Sequence, residues 1–137
     1  MYLVDTSIWI DFLRGRKGDH VNFLREILSN PQAVAISPLI YLEILQGARD
    51  VRSYKRLEKF LGGQRFVNFE QPPLACHAAA ARISFDCKKR GITVRSSVDC
   101  LIAQCAIEND LTLFHHDRDF QRIAGVVPKL REKSFLN

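Results

Sequence analysis

Four acidic residues stand in apolar surroundings. Asp5 closes the run Tyr2-Leu3-Val4, and Glu43 lies inside Pro38-Leu39-Ile40-Tyr41-Leu42-Glu43-Ile44-Leu45. Asp99 opens the run Cys100-Leu101-Ile102-Ala103, and Asp117 follows Leu111-Thr112-Leu113-Phe114 after the His115-His116 pair. A carboxylate is rarely buried unless something compensates its lost hydration. Four of them gathered at strand and helix ends point to a divalent cation with oxygen ligands, and so to metal-assisted chemistry on phosphate.

The elements that must position these acids alternate short apolar runs with longer amphipathic ones. That is the rhythm of an α/β domain with a mainly parallel sheet. Tyr2-Leu3-Val4 reads as a strand, Ser7 to Arg14 as a helix stopped by Gly15, and His20 to Leu28 as a helix stopped by Asn30-Pro31. Ala33 to Ile36 is a strand, and Ser37 with Pro38 then forms an N-cap and first helical position. That helix runs to about Gly47, and the next from Asp50 to Leu61. Arg65 to Phe69 reads as a strand ended by Pro72-Pro73, followed by an alanine-rich helix from Ala75 to Arg90. Ser96 or Ser97 caps a helix to Asn109; Leu111 to His115 is a strand; Asp117 to Ala124 is a short helix. Val126 to Lys129 is expected to be a last edge strand, because Pro128 would not suit a central one.

This layout puts Asp5 and Asp117 at C-terminal strand ends, where open α/β sheets bind ligands. Asp99 falls in the first turn of its helix, and Glu43 reaches in from another. Each acid also has a plainer explanation. Asp5 and Asp117 could cap the helices that follow them, and Asp99 stands three residues after Ser96, a capping-box spacing. Glu43 could share a solvated face with Gln46. Taken together, the acids fit Mg²⁺ or Mn²⁺, which prefer hard oxygen ligands, water and phosphate oxygens.

The chain as a whole narrows the setting. Its 137 residues are expected to form one domain spanning 1–137, with 47% hydrophobic and 26% charged residues, an ordinary globular composition. No apolar run approaches the roughly 20 residues that span a bilayer. Met1-Tyr2-Leu3-Val4-Asp5 has no basic leader, so the expected location is the cytoplasm, with no membrane partner. Cys76, Cys87, Cys100 and Cys105 form no Cys-x-x-Cys pair and read as reduced structural thiols. The net charge of +5 favours a polyanionic partner. Arg52, Lys55, Arg56 and Lys59 line one helical face, and Arg14, Arg95 and His116 are candidate contacts to nucleic acid. An acidic centre in a basic protein suits a nuclease: the basic surface holds the backbone and the acids hold the ion.

Asp5-Thr6-Ser7 after a short strand, the mid-chain Glu43, Ser96-Ser97-Val98-Asp99-Cys100-Leu101-Ile102-Ala103, and His116-Asp117-Arg118-Asp119-Phe120 occur in that order over nearly the whole chain. The set resembles a PIN-domain ribonuclease, and more closely the VapC toxins of type II toxin–antitoxin systems. The resemblance implies a three-layer α/β/α fold with a parallel sheet, Mg²⁺- or Mn²⁺-dependent endoribonuclease activity, a homodimer, and neutralisation by a VapB-type antitoxin. On that pattern Asp5, Glu43, Asp99 and Asp117 form the acidic quartet. Asp5, Asp99 and Asp117 would hold metal, and Thr6, Ser7 and Asp119 would support them from behind. Asp119 competes with Asp117 for the fourth place; Asp117 is favoured because it is nearer the strand end. Cleavage would displace the 3′ oxygen of one nucleotide and leave a 5′-phosphate and a 3′-hydroxyl. Two rival readings are a Mg²⁺ phosphohydrolase with Asp5 as nucleophile, which would want a second aspartate where Ser7 stands, and a non-catalytic α/β interaction module whose acids only cap helices.

Overall fold

A computed structural model describes residues 1–137. The core is a sheet of five parallel strands in the order β3-β2-β1-β4-β5. These are β1 (Tyr2–Val4), β2 (Val34–Ile36), β3 (Arg65–Phe66), β4 (Thr112–Phe114) and β5 (Glu132–Lys133). The helices are α1 (Thr6–Leu13), α2 (Asp19–Ile27), α3 (Pro38–Gln46), α4 (Val51–Gly62), α5 (Pro73–Lys89), α6 (Ser97–Glu108) and α7 (Arg118–Val126). Helix α1 packs on α2 and α3, and α3 on α4, while α5 packs on α6 and α7. The result is the expected three-layer α/β/α arrangement. No helix is long and apolar enough to cross a membrane.

The central strands read as continuous apolar runs because both of their faces are covered. Leu3, Val4, Val34, Ala35, Ile36, Leu113 and Phe114 are buried, and Trp9, Ile40, Leu61, Ile102 and Phe120 pack around them from the helices. All four cysteines are free and buried. Burial pushes the thiols of Cys100 and Cys105 up to about 11, so neither is a nucleophile at neutral pH.

Chain order makes the site. From β1 the chain steps outward to β2 and β3, then returns across the sheet to lay β4 on the other flank of β1. The C-terminal ends of β1 and β4 therefore border the point where strand order reverses, the natural crevice of an open parallel sheet. Registers Leu3↔Leu113 and Val4↔Phe114 bring those ends level.

The caps fall where expected. Ser37 Oγ accepts the Ile40 N–H at 3.2 Å with Pro38 beginning α3, and Ser96 Oγ accepts the Val98 N–H at 3.2 Å. Three expectations are corrected. β3 stops at Phe66: after the Val67 N–H bonds Ile36 O, Asn68 turns its side chain onto the Phe69 N–H and gives its carbonyl to Asn109. Helix α5 starts at Pro73 rather than Ala75, because proline at the first helical position loses no hydrogen bond. The last strand is Glu132–Lys133, not Val126–Lys129. Val126 still belongs to α7, and Val127 to Leu130 form a turn closed by the Leu130 N–H on Val127 O at 3.1 Å.

Candidate active site

Asp5 follows β1 and is buried, 4% exposed. Its Oδ2 accepts the Ser7 N–H at 3.1 Å, which caps α1, and the Ser7 hydroxyl at 2.6 Å. The Ser7 oxygen in turn accepts the His116 N–H at 3.0 Å, and the Asp5 N–H bonds Phe114 O at 2.9 Å. One serine thus ties the end of β1 to the end of β4. It also occupies the position where a phosphohydrolase would want a second aspartate, and its hydroxyl is committed to Asp5.

Glu43 is half-buried on α3 and accepts the Thr6 hydroxyl at 2.7 Å. Gln46 and Leu42 are exposed, whereas Glu43 is turned onto the Thr6 hydroxyl rather than left to solvent. Asp99 lies in the first turn of α6. Its capping-box role is not realised: Ser96 receives Val98 through its hydroxyl and Asp99 only through its backbone carbonyl. The Asp99 carboxylate is left for the crevice. Asp117 caps α7 by accepting the Asp119 N–H at 2.9 Å, and its own N–H donates to His115 Nδ1 at 3.1 Å.

These acids lie close enough to act on one another's charge. Burial pushes Asp99 up to about 7, helped by the charges of Asp5, Asp117, Glu43 and Asp119. Burial likewise pushes Asp5 up to about 6, with Glu43 adding to it and the Ser7 bonds opposing it. Carboxylate oxygens of Asp99, Asp117 and Asp119 lie within 4.8 Å of one another. Mutual repulsion among hard oxygen donors at one crevice is the condition that a divalent cation relieves. The donor set fits Mg²⁺ or Mn²⁺ and offers no soft ligand.

Asp119 differs from the rest. It is buried, but Arg122 Nη1 meets its Oδ1 at 2.8 Å and Arg95 Nε approaches its Oδ2 at 3.5 Å. Its charge is already matched, whereas Asp117 has no cationic partner.

The two histidines diverge as alternation along a strand requires. His115 is fully buried and pairs through Nε2 with Glu132 at 2.6 Å. Burial keeps it harder to protonate than usual. His116 stacks on His20, centroids 3.9 Å apart and planes 4° apart. His20 also bonds Asp11 at 2.8 Å, a carboxyl that burial pushes up but that His20 and Arg16 together hold below its usual range. Potential ligand atoms of Asp11, His20 and His116 lie within 4.8 Å of one another. Parallel stacked rings cannot both aim a lone pair at one ion, so the trio is a packing clamp of α2 on the β4–α7 connection rather than a chelate. Nothing in the spacing of Asp11, His20, Arg122 or Glu132 pointed to these roles. Arg14 is exposed and lines a separate cleft of about 440 Å³ with Ile10, Leu13, Ile44 and Phe60.

A five-stranded parallel sheet with aspartates following β1 and β4 at its switch point defines the class, an α/β/α domain with an acidic crevice. The family model for the PIN domain matches residues 2–126. The chain belongs to the PIN-domain family. Within it, the chain is 35% identical over 136 residues to VapC ribonuclease Mb1587 of Mycobacterium bovis, covering 98% of this chain and 99% of the relative. The same figures hold for ribonuclease VapC11 of Mycobacterium tuberculosis. In three dimensions it is similar to VapBC2 from Rickettsia felis bound to a DNA fragment from its promoter, with a TM-score of 0.74, 20% identity, and 98% of each chain covered.

Proposed function

We propose that the protein is a divalent-metal-dependent endoribonuclease of VapC type, the toxin of a toxin–antitoxin pair. The observation that carries this reading is the convergence of carboxylates at the crevice: those of Asp99, Asp117 and Asp119 lie within 4.8 Å of one another, and Asp99, raised mainly by burial, also feels the charges of Asp5 and Glu43. The relatives' names supply the substrate class, RNA, and a similar structure, a toxin–antitoxin complex from Klebsiella pneumoniae, supplies the toxin–antitoxin context.

In this reading Asp5, Asp99 and Asp117 hold the ion directly or through water. A bound Mg²⁺ or Mn²⁺ would supply Lewis acidity, lowering the pKa of water and neutralising charge on the phosphate. Glu43, fixed by Thr6, assists in binding or orients the attacking water. Ser7 keeps Asp5 aimed and holds the two strand ends in register. Asp119 stays paired with arginine and supports the centre from behind. The water oxygen attacks phosphorus, the bond to the 3′ oxygen breaks, and the products are a 5′-phosphate and a 3′-hydroxyl. In the same reading Arg14 and His116 serve as outer contacts to RNA, and Mg²⁺ is the favoured ion. A VapB-type antitoxin is the partner and a homodimer the working assembly.

RNA cleavage by the purified chain tests this. Cutting is lost in EDTA and returns with Mg²⁺ or Mn²⁺; undiminished cutting in chelator contradicts the metal role.

A further inference from the structure

Arg95 lies in the connection between α5 and α6, immediately before the α6 N-cap and four residues before Asp99. Its side chain is 81% exposed and makes no hydrogen bond within the protein. A long free cation on a loop is ordinarily unremarkable. Its place is not: Nε lies 3.5 Å from Oδ2 of Asp119, whose carboxylate is among the three that lie within 4.8 Å of one another. Arg95 therefore stands against the acidic cluster itself.

Asp119 does not need this partner. Arg122 bonds its other oxygen at 2.8 Å. The Arg95 contact, at 3.5 Å and with the guanidinium itself exposed, is looser than the Arg122 bond to the same carboxylate. It does position a guanidinium, with its N–H groups uncommitted, where a polyanion must approach a cluster of carboxylates. A carboxylate cluster repels phosphate unless cations stand beside it, and a guanidinium matches two phosphate oxygens as a fork.

Resting on the ribonuclease reading above, we propose that Arg95 grips an RNA phosphate at the rim of the acidic crevice, with Asp119 as the positioning residue that tethers it there. The exposure of Arg95 is then the condition for its work. The fork takes non-bridging oxygens of a phosphate beside the cut, and no bond forms or breaks at Arg95.

The test has two readouts on the full chain. Single-stranded RNA binding is measured against salt concentration in an Asp5→Asn background, and kcat/KM is measured with Mg²⁺ in the otherwise native chain. Arg95→Ala lowers the slope of log affinity against log salt by about 0.7, one phosphate contact on a single strand. It also lowers kcat/KM by about tenfold or more. Arg95→Lys restores most of the slope but less of the rate, because a point charge replaces a fork. Asp119→Asn keeps the slope and lowers kcat/KM, as an untethered cation would. Thermal melting shows each variant folded. If wild type cuts RNA while Arg95→Ala keeps both its slope and its rate, the Arg95 assignment falls alone. If wild type neither binds nor cuts RNA, the ribonuclease reading falls and takes this one with it.

Discussion

The two sides of the crevice use the same local device to different ends. Asp5 after β1 and Asp117 after β4 both cap the following helix by accepting the N–H two residues on. On the β1 side the second acid is Glu43, and its neighbours are hydroxyls: Ser7 serves Asp5 and Thr6 serves Glu43. On the β4 side the second acid is Asp119, and its neighbours are guanidinium groups. Hydroxyls orient a carboxylate without neutralising it. Arginines neutralise it. The β1 side and Asp117 are thus left without a matching cation, while the partners of Asp119 bring fixed positive charge to the β4 rim. Capping does not by itself exclude a crevice role for an aspartate; one oxygen can cap a helix while the charge faces the crevice.

The largest expected effect falls where charge is least compensated. Asp99→Asn or Asp5→Asn lowers RNA cleavage on the order of 10²–10³-fold or more with the fold intact, measured by initial rates and circular dichroism. Asp119→Asn keeps Mn²⁺ binding that Asp99→Asn loses, as calorimetric titration will read.

Stability follows pH in an unusual direction on the crevice. Asp5 and Asp99 are raised to about 6 and about 7. The folded chain therefore keeps these protons to higher pH than the unfolded chain, whose carboxyls titrate near 4. Their contribution is most favourable below about pH 4 and is lost as pH rises towards 7. In metal-free protein, Asp99→Asn raises the melting temperature at pH 8, by the equivalent of roughly 1–3 kcal/mol, and changes it little at pH 4. Saturating Mn²⁺ raises the wild-type value at pH 8 and leaves that of Asp99→Asn where it was.

Ser7→Ala is the next smaller step. It removes one oxygen's bonds to Asp5 and to the His116 N–H, costing about 1–2 kcal/mol in denaturant unfolding. Thr6→Val is the mildest, about 1 kcal/mol or less, since only the link to half-exposed Glu43 goes.

Much of this was legible in the chain. Asp5, Asp99 and Asp117 sit at junctions between apolar runs and helix starts, so their placement follows from where strands end. The β3 overrun at Val67 to Phe69 and the misplaced last strand came from the same source. A short apolar run does not reveal whether a partner strand is available; Val126 ends α7 and Val127 opens the turn that follows. The charge matching of Asp119 was hidden because its partners come from two places: Arg122 one turn on, and Arg95 in a loop before another helix. The His20–His116 stack joins residues nearly a hundred positions apart, and no periodicity encodes it.

Calorimetric titration of Mn²⁺ into the metal-free chain tests whether the acids form one cation centre. The expected result is a site that Asp5→Asn and Asp99→Asn each weaken severely, with protons released on binding near pH 6. A chain that binds no Mn²⁺, or binds it equally well after both substitutions, would contradict it.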